Sequence, residues 1–120
     1  EQERAAAPAE QELWVERRGE YVRLLADQVD WVQAERDYVY LHAEGTPFLV
    51  RNTMAAMERK LGEAVFLRIH RSALVRRDRI SSIRNLGYGD MRVQLASGEE
   101  LKVGRTYQRR LRDLLAEPAR

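Results

Sequence analysis

Between Phe66 and Val75 the chain reads Phe-Leu-Arg-Ile-His-Arg-Ser-Ala-Leu-Val, with apolar and cationic positions interleaved at a spacing too short for one face of a helix. Extended backbone lets Phe66, Leu67, Ile69, Leu74 and Val75 anchor in a core while Arg68, His70, Arg71 and Ser72 stay available. An apolar frame of this kind holds a basic edge rigidly. Arg76, Arg77 and Arg79 follow, so residues 68 to 79 carry five arginines against the single acid Asp78. That density calls for an anionic partner or for good solvation.

The 120 residues, 44% of them hydrophobic, suffice for one domain with a real core and not for two. A net charge of +2 conceals an asymmetry between the halves. Residues 1 to 60 hold 8 basic and 12 acidic side chains, a net of −4, and residues 61 to 120 hold 13 and 7, a net of +6. Of the 21 basic residues 19 are arginine, whose planar fork binds phosphate or guanine in two-pronged fashion where lysine acts as a point charge. Arginine-favouring codon usage is the competing explanation. There is no cysteine, which points to a reducing cytosol, and no apolar run approaches the roughly 18 residues a bilayer span needs. The chain opens on Glu1 without a signal-peptide pattern and is read as a piece of a longer protein.

Residues 1 to 12 are small, polar and charged with one proline, a composition that suits a linker; a short amphipathic helix is the other possibility. From Leu13 strand-like runs begin. Leu13-Trp14-Val15 and Tyr21 to Leu25 flank a turn at Arg18-Gly19-Glu20, and Trp31 to Ala34 and Tyr38 to His42 flank the charged corner Glu35-Arg36-Asp37. Val39 and Leu41 face one side of their strand, Tyr38, Tyr40 and His42 the other. With Phe48 to Arg51 the first half reads as a strand meander. Asn52 or Thr53 caps a helix carrying Met54, Met57 and Leu61 on one face and ending at Gly62, the methionines being read as core packing. Ile80 and Ile83 resume a strand, residues 86 to 90 turn, and Met91 to Leu95 and Leu101 to Val103 form a hairpin. A final helix puts Tyr107, Leu111, Leu114 and Leu115 on one face and Arg109, Arg110 and Arg112 on the other, and residues 116 to 120 form a tail.

In this order and spacing, four segments make residues 13 to 115 resemble a LytTR DNA-binding domain, the output module of many bacterial response regulators. They are Trp31-Val32-Gln33-Ala34-Glu35 with Asp37-Tyr38-Val39; Arg51-Asn52-Thr53-Met54; Phe66 to Ser72 with Val75; and Leu101 to Tyr107. The resemblance implies a mostly β, elongated antiparallel fold with one short helix mid-chain and a C-terminal helix, whose loops reach base edges in successive major grooves. It further implies direct-repeat sites in double-stranded DNA, often occupied by dimers, and a regulatory or sensor domain upstream, which could anchor the whole protein to a membrane. Base contacts are expected from Arg36, Asp37, Tyr38, Arg71 and Arg105. Two positions depart from the family pattern: Arg76 stands where asparagine is common, and Gly104 where serine is common.

Read from the residues themselves, each of these assignments has a structural alternative beside it. Arg105 sits at a corner between strand and helix, so its long side chain projects from fixed backbone, and helix-start pairing with a carboxylate is the alternative. His70, Arg71 and Ser72 give three polar groups of different reach, suited to mixed base and phosphate contact, with a local hydrogen bond as the alternative for His70. Arg76, Arg77, Thr106, Arg109 and Arg110 are candidates for backbone contacts, or else a solvated face. The acids of the Glu35 to Tyr38 corner can accept from cytosine or orient Arg36, and Tyr38 can equally be a half-buried strand residue. An enzyme is disfavoured by the absence of cysteine, of any Gly-rich phosphate loop and of any metalloprotease or nucleophile-elbow pattern, with only His42 and His70 as histidines. No cofactor and no metal is expected. A protein-interaction or ligand-sensing module is the alternative function, but it has no need of the basic cluster; RNA binding lacks the paired aromatics that stack unpaired bases.

Overall fold

The computed structural model describes residues 12–116; the expected linker falls outside that range except Glu12, as does the expected tail except Ala116. The opening hairpin pairs β1 (Glu12–Arg17) with β2 (Glu20–Leu25) around a turn at Arg18 and Gly19, in register from Glu12 opposite Leu25 to Arg17 opposite Glu20. The centre of the molecule is a five-stranded antiparallel sheet of β3 (Val29–Glu35), β4 (Tyr38–Ala43), β5 (Thr46–Arg51), β6 (Phe66–His70) and β7 (Ala73–Arg76). Its strand order is β5-β4-β3-β7-β6. A third, three-stranded sheet holds β8 (Ile80–Gly87), β9 (Asp90–Leu95) and β10 (Glu100–Lys102) with β9 central.

The first half is therefore not one continuous meander. Only β3, β4 and β5 run as one; β1 and β2 form their own sheet, and the basic stretch returns to pair β7 with the free side of β3. The period of two along each strand explains why. Val32, Val39, Leu41, Phe48, Phe66 and Leu74 point to one face of the sheet, where Leu13, Val15 and Leu24 of the hairpin and Met54, Met57 and Leu61 of α1 (Met54–Leu61) cover them. Trp31, Leu67, Ile69, Ala73 and Val75 point to the other face and meet Met91, Val93, Leu95, Val103 and Leu111. A strand buried on both faces needs apolar residues in succession, and Ala73-Leu74-Val75 supplies them.

Helix α1 begins as expected: the Thr53 side chain accepts from the Ala56 amide at 3.1 Å, and Gly62 ends it at φ 95°. Its methionines are buried core residues. The last helix differs at its start. Arg105–Tyr107 form a 3₁₀ turn, and α2 proper is Gln108–Ala116, with Leu111 buried against the second core.

Arg76 corrects an expectation. It is 7% exposed, with Nη1 donating to the Ala26 carbonyl at 3.2 Å and Nε and Nη2 donating to both oxygens of Asp78 at 2.7 and 3.1 Å. A guanidinium so enclosed is unavailable to phosphate; its work is to join the end of β7 to the segment between β2 and β3. Arg76→Ala leaves a buried carbonyl without its donor and opens space, so it should cost about 2 kcal/mol, read by urea denaturation. Hydrogen bonding to Arg76 holds the Asp78 carboxyl below its usual range. The resulting stabilisation is complete above the unfolded-chain pKa of about 4 and is lost as pH falls through the lower folded value. Asp78→Asn should thus lower stability at pH 7 and flatten its decline in acid; parallel profiles for the variant and the parent would refute the pairing.

Candidate nucleic-acid interface

Three turns meet at one end of the central sheet. The β3–β4 turn carries Arg36 and Asp37, with Arg36 at φ 59°, and both side chains are exposed. Beside it lies the β6–β7 turn, because β3 and β7 are paired and the Ala34 amide donates to the Ser72 carbonyl at 2.9 Å. The third is the 3₁₀ turn of Arg105–Tyr107, joined to the end of β6 by the Gly104 amide donating to the Ile69 carbonyl at 2.7 Å. Four of the five expected base-contact residues lie on these turns, and Tyr38, half-exposed at the start of β4, completes the set.

The β6–β7 turn is shaped from within. Arg68 donates from Nε to the His70 carbonyl at 2.8 Å and from Nη2 to the Arg71 carbonyl at 2.6 Å, while Nη1 pairs with Glu58 of α1 at 3.2 Å. His70 Nδ1 accepts the Ser72 amide at 3.1 Å and meets the Ser72 hydroxyl at 2.9 Å, which leaves the proton of the neutral ring on Nε2. His70 and Ser72 are both partly buried and bonded to each other; Arg71 is left exposed at the tip. At Gly104 an added Cβ would stand 3.3 Å from His70 Cδ2 and 3.2 Å from Tyr107 Cδ2, tight enough that one neighbour would have to shift, although the φ of −64° suits any residue. The small residue lets the 3₁₀ turn close onto His70.

Charge is divided sharply between the arginines. Arg68, Arg76 and Arg79 of the basic stretch are engaged by Glu58, Asp78 and Asp30. Arg36, Arg71, Arg105, Arg109 and Arg110 are exposed and have no carboxylate partner among the described residues. Thr106 is exposed beside Arg105, and Arg109 and Arg110 stand on the first turn of α2 with the Arg110 guanidinium 6.0 Å from the Tyr107 ring. Arg77 is also exposed, but it follows the far end of β7 and is set apart from this edge. Arg51 opens one of the resembling segments but was not among the expected contact residues. It faces Tyr38 across β4 and β5 with its guanidinium 5.8 Å from the ring, exposed and without a carboxylate partner among the described residues; only the strand register reveals that it belongs to the edge.

Behind the edge, a cleft of about 180 Å³ is lined by Trp31, Gln33, His70, Ser72, Ala73, Leu101 and Lys102. His42 stacks on Trp31 at 4.3 Å between ring centroids and bonds Gln33 through Nε2 at 3.1 Å; burial pushes its pKa down, so the ring is neutral at pH 7. No group of three or more potential metal ligands occurs among the described residues, and none of their helices is long and apolar enough to cross a membrane.

The arrangement of Arg68 makes a direct expectation. Arg68→Ala removes two carbonyl bonds and the tie to α1, so it should cost about 2 kcal/mol of stability and accelerate amide exchange at Ser72. Unchanged exchange there would mean that the turn is held without Arg68.

Comparison with known proteins agrees with this fold. One curated relative, the sensory transduction protein LytT of Bacillus subtilis, is 28% identical over 94 residues, which cover 77% of this chain and 39% of the relative. The chain thus spans about two fifths of that protein. A solved LytTr DNA-binding domain, from a methyl-accepting/DNA response regulator of Bacillus cereus, superposes with a TM-score of 0.80 at 20% identity, over 90% of this chain and 99% of that one. The fold is therefore shared. The family model of the LytTr DNA-binding domain matches residues 19–116, and the chain belongs to that family.

Proposed function

We propose that the chain binds double-stranded DNA in a sequence-specific manner as the output domain of a bacterial transcriptional regulator, reading bases with turn residues in successive major grooves. The observation that carries this reading is the gathering of Arg36, Arg71 and Arg105, each exposed and without a carboxylate, on three adjoining turns of one rigid edge. Strands about 4.8 Å apart give the five-stranded edge a width of about 19 Å. A major groove is about 12 Å wide. The edge cannot enter one groove whole, so residues at its two ends meet the flanking backbone or the next groove.

Within that geometry Arg105 and Arg71 are the base readers, with Arg36, Asp37 and Tyr38 at the neighbouring turn, where the carboxylate accepts from cytosine or steers Arg36. Thr106, Arg109, Arg110 and the newly found Arg51 contact backbone phosphates, and His70 and Ser72 act mainly by fixing the turn that presents Arg71. The sites are direct repeats occupied by two copies, the signal comes from a regulatory domain in the full-length protein, and the place of action is the cytoplasm. No catalytic step is part of this function.

Selecting bound duplexes from a random-sequence library at two salt concentrations, with Arg105→Ala in parallel, tests the proposal. Enrichment of a repeated motif that the variant loses is expected; binding without enrichment that vanishes at moderate salt would leave only non-specific attraction. On the selected site, Arg71→Ala and Arg105→Ala should each weaken binding by about 1 to 3 kcal/mol. Arg109→Ala should weaken all duplexes alike and lower the salt slope by about one unit.

A further inference from the structure

The turn between β8 and β9 consists of Tyr88 and Gly89, both at positive φ, 54° and 77°. It lies outside the three turns described above, yet it touches one of them. A methyl group on Gly89 would stand 3.2 Å from Nη2 and 3.5 Å from Cζ of Arg105, so the guanidinium lies over the side of the glycine where a side chain would begin. The carbonyl of the same glycine accepts a 2.7 Å hydrogen bond from Nε2 of Gln108. Gln108 is 4% exposed, one of two buried polar or charged residues among those described, and its Oε1 accepts from Arg112 at 3.1 Å. An amide buried and bonded through both its ends has one orientation.

We propose that Gln108 and Gly89 are positioning residues for base selection by Arg105: the buried amide clamps the β8–β9 turn, and the glycine seats the guanidinium. Neither needs to touch DNA. A free arginine loses rotamer freedom when it is fixed on a base edge, and a seat that already limits that freedom reduces the loss on binding. Bidentate recognition also demands a set orientation of the planar fork. This inference rests on Arg105 reading a base.

The fold contains the control for its own test. Gly87, in the same hairpin, has φ 86° and nothing within 4 Å of an added Cβ, so Gly87→Ala likewise puts a side chain on a positive-φ position of this hairpin but does not reach Arg105. Binding of the full 120-residue chain to its selected duplex, and to that duplex changed at the base pair whose selection requires Arg105, is compared for Gly89→Ala, Gln108→Leu, Gly87→Ala and Arg105→Ala. Gly89→Ala and Gln108→Leu should each reduce discrimination at that base pair on the order of tenfold, with little further loss when combined with Arg105→Ala, while Gly87→Ala keeps it. If Arg105→Ala loses discrimination and Gly89→Ala and Gln108→Leu keep it, the positioning role is overturned and the base reader stands. If no base pair of the selected duplex depends on Arg105, both fall. Thermal melts accompany each variant, and should Gly89→Ala not fold, Gln108→Leu decides, since it adds no strained backbone.

Discussion

Burial of the central sheet on both sides along β3, β7 and β6 is the constraint from which the placement of charge follows. One face of these strands supports the hairpin and α1, the other the second sheet and α2. A guanidinium on such a strand has two outcomes: it is held by partners in the fold, as Arg68 is by Glu58 and Arg76 by the Ala26 carbonyl, or it is placed at a strand end, where the backbone leaves the sheet. Arg36 and Arg71 are found at strand ends, and Arg105 just beyond one. The same packing that excludes charge from the strands therefore concentrates it at the rim.

The internal pairs have a consequence for the rim. Arg68 spends its guanidinium on the carbonyls of His70 and Arg71, so the backbone beneath the exposed Arg71 is fixed by a cation that never leaves the protein. Arg79 performs a similar task at the far end of the molecule, bonding Asp30 at 2.8 Å and the Asp27 carbonyl at 2.9 Å. Arginine suits both roles because its fork makes several directed bonds and remains charged at any physiological pH. Richness in arginine is thus no direct measure of the binding surface: in the stretch from 68 to 79 three of five serve the fold.

This division also marks what could be read from the sequence. The β1–β2, β3–β4 and β9–β10 hairpins, the capped helix and its methionine face were legible, since alternation, turn residues and caps are signals spread over a few neighbouring positions. Strand order was not, because nothing local says that β7 joins β3 and leaves β1 and β2 apart. The role of Arg76 was hidden for the same reason: its carbonyl partner, Ala26, is 50 residues away. Arg51 escaped notice because only the β4–β5 register brings it opposite Tyr38. Arg36, Arg71 and Arg105 were accessible as candidates through resemblance, whereas their convergence on one edge is a property of the fold.

Family departures become intelligible on the same terms. Gly104 adopts a φ open to any residue, so its freedom from a side chain serves proximity alone, bringing the Arg105 turn against the His70 ring. Arg76, in the other departing position, gives up exposure to join two distant segments. One position packs two exposed turns together, and the other ties the strand that leads from them to the body of the domain. Rigid presentation matters most for side chains as long as arginine, whose ordering on a target is costly when the backbone moves with it. Substitutions next to the exposed arginines can therefore alter how these are presented through support alone, while the exposed groups stay the same.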